Sequence, residues 1–513
     1  MTPIRLVRGF FTVGGWTMAS RILGFVRDAW IAAVLGTGPA AQAFIVAFSL
    51  PNMFRRFFAE GAFNTAFVPM FSKKLESGAG AEEFAREAMA GLATVVLALT
   101  LVAQLFMPGL VYLMASGFEG EKFDLTVGFS RIAFPYILFI SLAALASGVL
   151  NASGRFAAAA AAPVLLNLTF VAALWAVPRF GLDPGLAITW AVPVAGVAQL
   201  ALVWEAARRA GIRLIPRLPR LSPDMKRLAA VAAPAMLAGG VVQINLLVGR
   251  QVSSYFDDAV AWLYNADRLY QLPLGVVAIA IGVVLLPDLS RRLQNGDAAG
   301  ARHSFNRATE FCLALTLPAA VALVVIAEPL TTVLFERGRF GPEDTVATAL
   351  AVAVYGVGLP AFVLQKVLQP LFFAREDTRS PFHYALVAMV VNAVLAVGLA
   401  FLLGYIAAAL ATTLAAWVMV VQLWLGSRAM GESVTLDDGL RKRAPRIAVA
   451  SAVMGLCLWL GDLFLDPALH MASWRYLALA GLIGIGIVSY FGSGAVIGAF
   501  RLSDFKSAVR RGR

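Results

Sequence analysis

The amino-acid sequence predicts an all-α polytopic membrane protein of fourteen transmembrane helices, built as two six-helix repeats followed by two appended helices. Three observations predict it. Sixty per cent of the 513 residues are apolar and 14% are charged, against about 45–50% and 25% in soluble domains. Apolar stretches of spanning length, about twenty residues at 1.5 Å rise each, recur along the whole chain and leave no room for a separate soluble domain. Finally, Val68-Pro69-Met70-Phe71-Ser72-Lys73-Lys74 is matched 218 residues later by Leu286-Pro287-Asp288-Leu289-Ser290-Arg291-Arg292.

Taken in order, the first helix runs near 9–35. It reads as a retained helix rather than a cleavable signal, because its apolar stretch passes into Ser20-Arg21-Ile22-Leu23-Gly24-Phe25-Val26-Arg27-Asp28 with no small-residue cleavage site. Helix 2, near 41–72, contains the Leu50-Pro51-Asn52 step, where the missing N–H of proline should kink it and open room for a cavity. Helices near 87–114, 125–150, 158–178 and 184–207 complete the first repeat. The second holds helices near 228–254, 259–290, 308–327, 343–373, 381–403 and 406–427. A weaker echo between residues 151–167 and 374–392 supports the duplication, and six helices per repeat, an even number, makes the repeats parallel. Helices near 447–465 and 475–499 have no repeat partner. The division is therefore 1–215, 216–440 and 441–513, with the basic loop around Pro216, Pro219 and Pro223 as the joint.

A net charge of +12 would suggest a nucleic-acid partner in a soluble chain; here its distribution follows the positive-inside rule. Alternate loops place 29 of the 42 Lys and Arg on one side and five on the other. Both termini are accordingly expected in the cytoplasm, and no nucleic acid is expected. The remaining eight, Arg21, Arg27, Arg55, Arg56, Arg131, Arg250, Arg268 and Lys366, fall within helices.

A cation at a helix centre costs roughly 2.5–3.5 kcal/mol on insertion scales, so these eight should meet water, a partner or a substrate. Arg131, Arg250 and Lys366 lie where they can snorkel or pair locally. Arg21, Gly24 and Asp28 share a narrow stripe of helix 1, with Arg27 flanking it. Arg56 and Glu60 are spaced i, i+4 and can pair, which leaves Arg55 without a local partner. Helix 8 carries Asp267-Arg268 just before Pro273 and Gly275. Arg21, Arg27, Arg55, Arg56 and Arg268 outnumber Asp28, Glu60 and Asp267, so the interior is net positive. Such a site selects anions, and guanidinium forks match phosphate oxygens.

No catalytic constellation competes. His303, His383 and His470 are scattered without metal spacing, Cys312 and Cys457 read as buried inert thiols, and there is no P-loop. A transporter is expected rather than an enzyme, with no cofactor and no metal.

These residues resemble the MurJ (MviN) family of lipid II flippases, within the multidrug/oligosaccharidyl-lipid/polysaccharide exporter superfamily. The resemblance is carried by residues 20–28, by Leu50-Pro51-Asn52-Met53-Phe54-Arg55-Arg56 running into Ala59-Glu60-Gly61-Ala62-Phe63-Asn64, by Ala266-Asp267-Arg268-Leu269-Tyr270-Gln271-Leu272-Pro273 and by Phe372-Phe373-Ala374-Arg375-Glu376-Asp377. It implies two pseudo-symmetric six-helix lobes around a central cavity. It further implies alternating access that moves lipid II, the undecaprenyl-pyrophosphate-linked peptidoglycan precursor, outward across the bacterial inner membrane. Arg21, Arg27, Arg55 and Arg268 would line the cavity and meet the pyrophosphate, with Asp28, Arg56, Glu60 and Asp267 as the gating or charge network. Helices 13 and 14 would form a groove for the lipid tail. The expected partners are lipid II, membrane lipid and the cell-wall synthesis machinery, with the chain acting as a monomer.

Two departures stand out. Gln42-Ala43-Phe44 takes the place of the family's usual Asp-Ala-Phe, and Gly249 leaves helix 7 without an acid, so no sodium site is expected. Three other readings compete. A cation-coupled multidrug exporter of the same superfamily needs unpaired acids, the opposite sign. A flippase for another lipid-linked oligosaccharide shares the pyrophosphate, and only the motifs separate it. In a membrane scaffold or enzyme the arginines would be structural.

Overall fold

In the computed structural model, residues 3–56, 62–78, 80–215 and 219–499 are described. Thirteen of the fourteen expected segments coincide with one helix or a broken pair; the second, 41–72, covers two described helices, with 57–61 outside the described residues. Helix α1 runs Pro3–Leu35, α2 Pro39–Arg55, α3 Ala62–Glu76, α4 Ala81–Leu105, α5 Met107–Met114, α6 Gly120–Ala133, α7 Tyr136–Ala152, α8 Ala157–Phe180 and α9 Pro184–Arg209. Then follow α10 Pro223–Ser253, α11 Ala259–Gln294, α12 Ala298–Val325, α13 Ala327–Phe335, α14 Pro342–Phe373, α15 Arg379–Leu403, α16 Ile406–Ser427, α17 Asp438–Leu469 and α18 Arg475–Ile497. Ten helical stretches among the described residues are long and apolar enough to span a membrane. Helices α2 and α3, at 17 and 15 residues, are each too short to qualify alone.

The breaks have local causes. The expected segment 87–114 is divided between α4 and α5 beside Pro108, and 125–150 between α6 and α7 around Pro135. Proline cannot donate the N–H that would continue the ladder. Pro51, by contrast, lies inside α2, which continues through it to Arg55. There Ser49 Oγ donates to Ile45 O at 2.6 Å and Asn52 Nδ2 to Phe48 O at 2.8 Å, so side chains serve carbonyls around the proline.

The chain divides into two compact units, Met1–Ala261 with Arg337–Phe340, and Trp262–Glu336 with Gly341–Arg513. In the first, α8 packs against α1 and α9, α7 against α9, α2 against α6, and α3 against α7 and α10. Its core gathers Phe44, Phe48, Tyr136, Phe170 and Ile188. The Phe170 ring meets those of Phe44 and Phe48 edge-on, at 5.9 and 5.6 Å between centroids, a preferred aromatic geometry. A strap, Arg337–Phe340, closes on the end of α1, where Arg339 N donates to Ala33 O at 2.9 Å. Gly338, at φ +61°, is required there, since a Cβ would lie 2.2 Å from Ala33 O.

In the second unit α14 lies between α12 and α16, α15 packs on α16, and the α17–α18 hairpin docks on α12. That hairpin buries Met454, Leu458, Leu482 and Tyr490 with Ile326, and Tyr490 Oη donates to Ala314 O at 2.6 Å. The link from α16 to α17 is tied to the start of α12. Arg302 donates to Thr435 O and Leu436 O at 3.2 and 3.1 Å, and Asp437 N donates to Asn306 Oδ1 at 2.9 Å. Asp437 then caps α17 by accepting from Leu440 N at 2.7 Å, which satisfies one of the open N–H groups at the helix start.

Candidate functional site

The adjacency of Arg27 and Asp28 on α1 becomes a closed ion pair. Arg27 Nε and Nη2 donate to Asp28 Oδ1 at 2.9 and 2.7 Å. Both side chains are buried, at 7% and 3% exposure, so the pair sits where desolvation is expensive and further hydrogen bonds are needed to hold it. Asn167 of α8 supplies one: its Oδ1 accepts from Arg27 Nη1 at 3.0 Å. The same amide donates through Nδ2 to Ser20 O at 2.8 Å and to Ser20 Oγ at 3.3 Å. Gly24 faces the Asn167 amide, which a Cβ there would meet at an ordinary contact distance of 3.6 Å. The guanidinium also lies 5.3 Å from the Phe170 ring centre, within cation–π range.

The stripe expected on helix 1 is thereby divided. Asp28 and its flanking Arg27 face the protein, Gly24 backs onto Asn167, and Arg21, further toward the N-terminus, is exposed. Arg55 is half-buried at the last turn of α2, and Arg56 follows it, exposed. The expected Arg56–Glu60 pair lies outside the described residues, as Glu60 does. In the second unit Asp267 and Arg268 are both half-buried on α11. Gln271, one turn on, donates to Asp267 Oδ2, and the Arg268 guanidinium lies 4.4 Å from the Tyr264 ring centre. Cys312 is buried, as expected, whereas Cys457 is partly exposed.

Residues that sequence reasoning did not assign complete the first unit. Asn167 marked only the end of a duplicated segment, and one polar residue in an apolar helix carries no sign of what it faces. Gln42 was visible only as a departure. It is 1% exposed and bridges two charges: Lys122 Nζ donates to its Oε1 at 3.0 Å, and its Nε2 donates to Asp258 Oδ1 at 2.9 Å. Asp258 adopts φ +58°, a conformation in which Asp is enriched among non-glycine residues. The carboxylate missing at position 42 is thus present 216 residues later in the chain, reached through an amide.

Chemically, α1 presents a fixed, charge-balanced arginine and an exposed one, and α2 and α11 each present a half-buried arginine. Each of these guanidinium groups can engage phosphate oxygens.

The family model for the lipid II flippase MurJ matches residues 31–477. A Rhizobium meliloti protein, named "Probable lipid II flippase MurJ", is 46% identical over 99% of this chain and 97% of its own length. Among solved structures, the inward closed conformation of a lipid II flippase MurJ aligns with a TM-score of 0.79 at 24% identity, covering 94% of this chain and 98% of that one. An inward-facing multidrug resistance MATE family transporter of the MOP superfamily aligns with a TM-score of 0.66 at 16% identity, over 82% and 97%. Flippase and drug exporter therefore share this fold.

Proposed function

The chain belongs to the lipid II flippase MurJ family, and on that premise we propose that it moves lipid II from the cytoplasmic to the outer leaflet of the bacterial inner membrane by alternating access. It is a membrane transporter and not an enzyme. In this reading Arg21, Arg27, Arg55 and Arg268 meet the pyrophosphate, while Asp28, Arg56, Glu60 and Asp267 set the charge balance around them. Fourteen spans, both termini in the cytoplasm, two repeats over 1–215 and 216–440 with 441–513 appended, and action as a monomer that serves the cell-wall synthesis machinery belong to the same reading.

The observation that supports it best is Arg27. A cation this far along a membrane helix ordinarily snorkels toward water. Arg27 instead stays buried, held by Asp28 and Asn167. A fold shared with drug exporters does not choose the substrate; the expected surplus of arginines over acids on these helices favours an anion, since a cationic drug would need acids.

The direct test is depletion of the protein in a peptidoglycan-making bacterium, followed by labelling of lipid II in the outer leaflet. Exposure should fall as the protein is lost and recover with the intact chain. Unchanged exposure after depletion would remove the flippase reading.

A further inference from the structure

We propose that the second unit holds a resident anionic glycerophospholipid, separate from the transported substrate, with part of one acyl chain in an apolar cavity and its phosphate on Arg441. The cavity measures about 240 Å³ and lies at the end of the unit where α12 and α17 begin and α14 and α16 end. Its wall includes Leu313, Leu364, Val420 and Trp424, with Arg441 among the lining residues. Thr309, a hydroxyl on that wall, donates to Phe305 O at 2.8 Å, so it offers water little.

Apolar cavities of roughly 150 Å³ stay dry and take up hydrocarbon guests. Inside a bilayer the hydrocarbon at hand is a lipid chain. This one is also firmly built: the Thr435–Asp437 link is fastened to α12 through Arg302 and Asn306.

Charge identifies the headgroup. This end of the unit is strongly basic, yet most of its arginines are committed. Arg307 binds Asp437 and Glu310, Arg443 binds Glu310, and Arg375 donates to Leu371 O and Ser433 Oγ. Arg441 is exposed and makes no side-chain hydrogen bond or ion pair among the described residues. The indole N–H of Trp424 likewise has no protein acceptor among them. Arg441 and Trp424 both line this apolar cavity, and a guanidinium with an indole N–H supplies the kind of donors that recognise a lipid phosphate at the membrane interface.

Native mass spectrometry of the full chain, released from micelles containing equal amounts of phosphatidylglycerol and phosphatidylethanolamine, tests this. The intact protein should retain phosphatidylglycerol preferentially. Arg441→Ala should lower that retention about fivefold, the effect of about one interfacial basic residue, and Lys442→Ala should not. Leu364→Trp, which fills the cavity while leaving Arg441, should lower it as well. Quenching of Trp424 fluorescence by brominated-chain phosphatidylglycerol, taken as the difference from Trp424→Phe, locates the acyl chain. Retention indifferent to headgroup, equal losses in Arg441→Ala and Lys442→Ala, or no change in Leu364→Trp would each overturn the proposal. The measurement involves no transport, so its failure leaves the flippase reading standing.

Discussion

Gln42 and Asp258 are joined side chain to side chain at 2.9 Å, and the other end of the same amide accepts from Lys122. Three elements of the first unit, α2, α6 and the turn before α11, therefore meet on one neutral group. Removing it with Gln42→Ala withdraws a partner from each charge, at a cost of about 1–3 kcal/mol for buried polar groups left short of hydrogen bonds. The melting temperature in detergent should fall accordingly. Gln42→Glu replaces the amide that donates to Asp258 with a carboxylate, which when ionised can only accept, so it should also melt lower than the intact protein; an unchanged melting temperature in both variants would refute this account of the bridge.

Asn167 should act as a positioning residue for Arg27. Asn167→Ala leaves a buried guanidinium with one fewer acceptor and is expected to cost about 1–3 kcal/mol, together with a marked loss of lipid II exposure in cells. Asn167→Gln, which restores an amide at a different reach, should regain stability more fully than transport. Equal recovery of both would mean that Asn167 serves packing alone.

Arg55→Ala and Arg268→Ala should abolish flipping while the protein still inserts. Lysine at either position should rescue only in part, because an ammonium cannot reproduce the planar two-donor fork. Outer-leaflet lipid II, measured beside membrane-fraction abundance, separates lost function from lost protein. Full activity in both alanine variants would make these arginines structural.

Asp437 offers a pH-linked test outside the membrane spans. Burial pushes its carboxyl upward, but Leu440 N–H and the Arg307 guanidinium outweigh this and hold it below the ordinary carboxylate value. Its contribution is therefore present above the unfolded pKa of about 3.9 and lost as pH falls through the lower folded value. Asp437→Asn keeps a capping side chain and removes the charge. The intact protein should melt higher than the variant at pH 6–8, by on the order of 1 kcal/mol for a partly exposed pair, and the gap should close on acidification. A gap independent of pH would assign the effect to something other than charge.

Hydropathy alone located every long helix, because a span needs a continuous apolar run and such runs stand out. It did not separate α4 from α5 or α6 from α7, since averaging over a window hides a single Pro108 or Pro135. Within the site, the closeness of Arg27 to Asp28 was legible because it is local. What Arg27 touches across the bundle was not: Asn167 is 140 residues away, and the rotation of an almost wholly apolar helix such as α8 leaves no periodic trace in sequence. Gln42 was legible as an oddity and illegible as a bridge, for its partners come from two other elements.

The closed pair on α1 has one more consequence. Three guanidinium nitrogens of Arg27 are already engaged, so a phosphate arriving there would displace existing partners and not fill a vacant position. Binding of that kind is an exchange: the anion's gain is offset by what the carboxylate gives up, and the return of the carboxylate helps expel the anion. A carrier that had to release its cargo on the far side would benefit from such a swap, whereas bare arginines would hold the cargo in place.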